Sequence, residues 1–146
     1  METLQHEIKI KAPIEKVWNT LVNLENVDKF NFHIKTVKIL SEKKGVGASR
    51  KCELKPKGFV KERIIALTEF KSISMEMYEC DFPINHMEWT YYLSFDNGIT
   101  ILKTITEYRV KYGVLGVLLN FLIMKSKFNK TMNEVFESLK KYVESI

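Results

Sequence analysis

The chain is poor in the residues that break or staple structure. Its 146 residues include three prolines, six glycines, two cysteines and three histidines. So little proline and glycine excludes a collagen-like or low-complexity chain. Cys52 and Cys80 are too few for a disulfide scaffold and show neither CxxC nor zinc-site spacing. They are expected as reduced thiols in a cytoplasmic protein. No apolar run approaches the about 20 residues that span a bilayer. The polar opening Met1–His6 is not followed by the apolar segment of a signal peptide. HExxH, GxSxG, P-loop and GxGxxG motifs are missing. No group of His, Asp and Glu has metal-ligand spacing. The expectation is therefore no metal and no cofactor, and no catalytic residue is identifiable.

What is present fits one globular domain, 1–146, with a substantial core. Net charge is +5, but the lysines are scattered among glutamates. That pattern reads as a solvated surface, not a nucleic-acid interface. Hydrophobic periodicity then orders the chain. Leu4, His6, Ile8 and Ile10 alternate with polar residues as a half-buried strand does. Pro13 suits a helix start, and Ile14, Val17, Trp18, Leu21 and Val22 follow at helical spacing. A second short helix is expected over Leu24–Phe30, with Asn23 as its N-cap. Strands are expected at Ile34–Leu40, Ala48–Leu54, Phe59–Leu67, Ile73–Cys80, His86–Phe95 and Ile99–Tyr108. Asp96-Asn97-Gly98 is a strong hairpin signal. The inward face of the last strand is ambiguous.

The last third, from about Tyr112 to Ile146, reads as one long helix. Its apolar stripe runs through Val117, Phe121, Met124, Phe128, Met132, Val135, Leu139, Tyr142 and Ile146. Val114–Met124 is apolar nearly all round, broken by Gly116 and Asn120, which implies cover on more than one side. Strand, two helices, six strands and a long helix, with short turns, make an α+β fold around an antiparallel meander of about seven strands.

Ala12-Pro13-Ile14-Glu15-Lys16-Val17-Trp18 resembles the opening of the SRPBCC superfamily, which includes START-like and polyketide cyclase/dehydrase-like proteins. Gly45-Val46-Gly47 with Arg50, Glu62-Arg63-Ile64, and Asn97-Gly98-Ile99-Thr100 fit its middle strands and last hairpin. Phe32 stands where members often have proline after Asn. The resemblance covers nearly the whole chain and is structural. It implies a helix-grip fold, a curved sheet wrapped around the C-terminal helix, with a bound apolar small molecule in the space between.

Candidate ligand-binding residues follow. Met75, Met77, Met87, Trp89, Tyr91 and Phe95 share faces of neighbouring strands toward the helix. Phe30, Phe32 and Phe59 are placed to close one end, and Leu118, Leu119 and Leu122 the other. Met and aromatic walls suit varied apolar ligands, although such stripes also build solid cores. His6 on the apolar face reads as a satisfied core histidine. His33 lies near a cavity mouth or on the surface, and His86 points outward. Arg50 shares a face with Cys52 and Leu54, either reaching inward or paired. Glu62 and Arg63 face opposite ways.

Three functions fit these residues. The first is binding of a lipid, quinone or polyketide-like molecule. The second is a cyclase/dehydrase-type enzyme, which requires a convergent polar pair in the pocket. The third is an interaction module like the chaperone activators on this fold, which requires an exposed apolar patch and a filled interior. The expected partner is an apolar small molecule, with transient membrane contact through Val114–Met124. The chain is expected as a monomer or homodimer.

Overall fold

In a computed structural model, which describes residues 1–41 and 43–146, seven strands form one antiparallel sheet. They are β1 (Glu2–Ile10), β2 (Ile34–Ile39), β3 (Ser49–Leu54), β4 (Phe59–Thr68), β5 (Ser72–Cys80), β6 (Ile84–Asp96) and β7 (Ile99–Val110). The spatial order is β1-β7-β6-β5-β4-β3-β2. Six strands form a meander, and the first strand returns to pair with the last. Helix α1 (Ile14–Val22) and the short α2 (Val27–Phe30) intervene between β1 and β2, joined by a 3-10 turn at Leu24–Asn26. The chain ends in α3 (Gly113–Leu119), a π turn (Asn120–Met124) and α4 (Lys125–Ser145).

Period-two alternation decides which side of the sheet is buried. Leu4, His6 and Ile10 of β1, Ile73, Met75 and Met77 of β5, and Met87, Trp89 and Leu93 of β6 all point to the core. The last strand resolves as well. Thr100, Leu102, Thr104, Thr106 and Tyr108 face inward, so three of the five residues on its buried face are threonine. Val135, Phe136, Leu139 and Val143 of α4 pack onto this face, and Val17, Trp18 and Leu21 of α1 fill one end.

Two local expectations are corrected. Asn23 does not cap the second helix; its side-chain amide donates back to the Asn19 carbonyl at 2.8 Å and finishes α1. The long helix is not buried along one 3.6-residue stripe either. Its inward positions are Gly116 and Asn120, both buried, then Met124, Phe128 and Met132, and finally the α4 core residues. The π turn adds a residue to one repeat and so keeps a four-residue step on the inner side. Val117 and Phe121 are thereby turned outward, at 59% and 80% exposure, and Ile146 is also exposed. Gly116 is required at its position, because a Cβ there would overlap the Lys111 carbonyl oxygen. Asn120 is held by a 2.6 Å hydrogen bond donated by the Tyr108 hydroxyl, and the Tyr108 ring stacks on Phe128 at 5.4 Å.

His6 is buried between β1 and α4. Its Nε2 lies 3.1 Å from Asn129 Oδ1, its ring meets Phe136 edge-on, and its Nδ1 has no partner among the described residues. Burial lowers its pKa from 6.5, and the Asn129 contact offsets this only in part. The unfolded chain therefore binds a proton more readily than the fold does. Stability is expected to be level at neutral and higher pH and to fall as pH drops through about 6.5. Thermal melts between pH 8 and 5, about 1.5 units either side of the ordinary histidine value, are expected to show this fall in the native protein. The slope should be reduced in His6→Leu.

Candidate functional site

Between the sheet and α4 lies a cavity of about 450 Å³. Its apolar wall comes from Phe30 of α2, Met77 of β5, Met87 and Trp89 of β6, and Phe128 and Met132 of α4. Its mouth is marked by His33, whose Nε2 lies 3.2 Å from the Glu134 carboxylate on α4. A concavity of equal volume on the outer face is lined mainly by Lys38, Lys51, Lys61, Glu53 and Thr36. It has few apolar side chains to hold a ligand, so the inner cavity is the candidate site.

The inner cavity has one polar wall. Arg50 of β3 and Glu62 of β4 are register partners and both line it. Glu62 Oε1 accepts from Arg50 Nε and Nη2, each at 2.8 Å. Arg50 Nη1 donates to the Leu24 carbonyl at 2.9 Å, which ties the 3-10 turn to the sheet. Burial opposes the Arg50 charge, but Glu62, with smaller help from Cys52 and Tyr91, outweighs it and raises the guanidinium pKa. Burial, then the nearby Glu62 charge, pushes the Cys52 thiol up to about 12, so it is no nucleophile at neutral pH. Burial also raises the Tyr91 hydroxyl, against the pull of Arg50. Opposite, Thr106 of β7 lines the cavity with a buried hydroxyl that has no partner among the described residues.

The structure brings together five of the twelve sequence candidates. Phe30, Met77, Met87, Trp89 and Tyr91 line the cavity. Met75 is fully buried on the same sheet face, outside the cavity wall. Phe32 is exposed and tilts against the His33 ring. Phe59 is half-buried, with the Lys51 ammonium 5.0 Å from its ring centre. Phe95 lies near the end of β6 and is exposed. Leu118, Leu119 and Leu122 are exposed because the π turn presents Gly116 and Asn120 to the sheet in their place. Lining residues missed from the sequence include Thr106, Phe128 and Met132, and above all the charged Glu62. Its signal was its position between Val60 and Ile64, two inward residues of the same strand. Pairing of β5 with β6 also gathers Glu76, His86 and Glu88 within 4.8 Å on the outer face. Glu76 there is engaged by Arg63, and His86 lies 3.1 Å from Glu88.

With this geometry in place, the comparisons define the class. A family model described as "Polyketide cyclase / dehydrase and lipid transport" matches residues 1–144, so the chain belongs to that family of the SRPBCC superfamily, with its START-like helix-grip fold. The fold is shared with the Thermus thermophilus protein TTHA0849, at 16% identity and TM-score 0.82 over 99% of this chain and 98% of that one. It is shared with a START superfamily protein from Mycobacterium smegmatis, at 16% identity and TM-score 0.81 over 98% and 97%. Ara h 8.0201 is similar at 17% identity and TM-score 0.78 over 99% of both chains. Among curated proteins none matches significantly in sequence.

Removing one member of a buried ion pair strands the other charge, whereas replacing both with apolar groups is often neutral. Glu62→Leu is therefore expected to lower unfolding stability by about 3–5 kcal/mol. The double variant Arg50→Met/Glu62→Leu should recover most of that loss. Urea unfolding of the wild type, the single variant and the double variant checks this.

Proposed function

We propose that the protein binds an amphiphilic small molecule in the chamber between sheet and α4. The ligand has an apolar body of lipid, quinone or polyketide type and a neutral oxygen group at its inner end. The observation that carries this reading is the pairing of Arg50 with Glu62, with the Thr106 hydroxyl, which has no partner among the described residues, on the opposite wall of an otherwise apolar chamber. Arg50 already has a counter-ion, so a ligand carboxylate would have to displace Glu62. A hydroxyl or carbonyl meets donors and acceptors without adding charge. Family membership supports the apolar part of the ligand. Burial of about 300 Å² of apolar ligand surface is worth about 7 kcal/mol before ordering costs. Before those costs this corresponds to a Kd of about 7 μM, and binding is weaker than that unless polar contacts offset the ordering.

The whole chain acts as one domain in this reading. The free thiols Cys52 and Cys80 support a reducing compartment such as the cytoplasm. Among the described residues no helix is long and apolar enough to cross a membrane. The buried pair also favours a second reading, a cyclase or dehydrase in which Arg50 polarises a ligand carbonyl. Binding is preferred because Glu62 Oε1 is already engaged by Arg50 Nε and Nη2, so the carboxylate is committed to its counter-ion and not to a substrate proton.

Native mass spectrometry, beside the same sample after denaturing extraction, tests the proposal. The expected result is an extra mass that leaves on denaturation, or uptake from a panel of fatty alcohols, fatty acids and quinones. Neutral members should be taken up at least about tenfold better than acids, the equivalent of about 1.4 kcal/mol. A clean mass with no uptake from any member would overturn binding. A bound molecule returned chemically changed would favour the enzyme.

A further inference from the structure

Helix α3 and the π turn are built inside out. Only Gly116 and Asn120, the smallest and most polar residues of Val114–Ile123, are buried. Val114 is 88% exposed, Leu115 72%, Phe121 80% and Leu122 65%, and Val117, Leu118 and Ile123 are exposed as well. At about 100° per residue these side chains sweep roughly two-thirds of the helix circumference. The contacts that fix this orientation are specific: the Tyr108–Asn120 hydrogen bond and the close approach of Gly116 to Lys111. An exposed apolar patch of this extent marks an interaction site.

Charge says what covers it. The stretch Tyr108–Asn133 holds Arg109, Lys111, Lys125, Lys127 and Lys130 and no acidic residue. It carries five of the 23 cations and none of the 18 acidic residues. The rest of the chain is balanced at 18 of each, so the whole net charge of +5 sits around the apolar segment. Lys125 is partnered by Glu2 at 3.4 Å; the other four make no ion pair among the described residues. Tyr112, exposed at the head of α3, is the residue type that settles at a membrane interface. A folded protein partner covers one face of a helix, whereas a fluid apolar phase surrounds it from several sides. The eleven residues Val114–Met124 rise only about 17 Å, too short to cross about 30 Å of hydrocarbon.

We propose that Tyr112–Met124 is a membrane-docking element that lies in the interfacial plane of an anionic bilayer, with the surrounding cations on the lipid headgroups. The inference does not depend on what fills the chamber. Lys127 connects the two features, since it belongs both to the basic collar and to the cavity wall.

Flotation of the full-length protein with phosphatidylcholine vesicles, with and without about 30% phosphatidylserine, is the test. The expected result is binding that requires the anionic lipid and weakens at about 1 M salt, where the screening length falls to about 3 Å. Phe121→Asp, whose side chain projects into solvent, should reduce binding at least about tenfold with the far-UV circular dichroism unchanged. Phe121→Trp should shift its emission to the blue when anionic vesicles are added, which gives an independent reading if the aspartate variant does not fold. Absence of vesicle binding would overturn the proposal, and so would binding equal in wild type and Phe121→Asp with no emission shift. A concentration-dependent dimer in light scattering that Phe121→Asp dissolves, without vesicle binding, would overturn it in favour of a second copy of this chain.

Discussion

One helix cannot cover seven strands. Strands about 4.8 Å apart give a flat sheet about 29 Å wide, while a helix with its side chains is about 10 Å across. The sheet here curls around α4, and α1 with Trp18 and Leu21 plugs one end. The remaining mismatch is the chamber. Its existence is thus a matter of geometry, and its character is decided by which side chains the curl turns inward. Met77, Met87, Phe128 and Met132 make it apolar and adaptable, since thioethers repack at little cost.

The polar wall is the exception, and it is energetically conspicuous. Burying a charge pair costs several kcal/mol per ion before attraction and hydrogen bonds return it, and apolar residues of the same volume would serve a mere core as well. Arg50 meets that cost with Glu62 and the Leu24 carbonyl, and in doing so it fixes the 3-10 turn over β3. The pair therefore joins fold and site: the contacts that hold the chamber's corner also present its hydrogen-bonding groups. Thr106, whose hydroxyl has no partner among the described residues, adds a polar group on the opposite wall.

The fold was largely legible in the sequence, because alternation and helical spacing are long and regular here. All seven strands and the early helical pair follow from period alone, and the Ala12–Trp18 resemblance supplied the wrapped architecture. The site was legible only where period and chemistry agreed. Met77, Met87 and Trp89 are large apolar residues on inward positions, and they line the chamber. Glu62 was hidden because a charged residue on an inward position reads as surface until its register partner Arg50 is known. Phe95 failed for the opposite reason: its parity is right, but it falls in the last three residues of β6, all of them exposed. Leu118, Leu119 and Leu122 failed because the π turn shifts phase, which no 3.6-residue template contains. The buried face of β7 was undecidable by pattern, since threonine suits either side of a sheet.

The return of β1 to pair with β7 sets the order in which the molecule can be completed. Ile10 meets Thr100 and Glu2 meets Tyr108, so the partners are separated by 90 to 106 positions. Every other pairing in the sheet is between neighbours in the chain. During synthesis the meander β2–β7 can zip hairpin by hairpin as it emerges, while the first strand waits with Leu4 and Ile10 uncovered. The sheet closes only after β7 exists, and α4, which packs on β1, comes later still. Such long-range closure is expected to be slower than the zipping of the neighbouring hairpins. The unpaired opening strand is the region a chaperone would most usefully shield while the chain is being made.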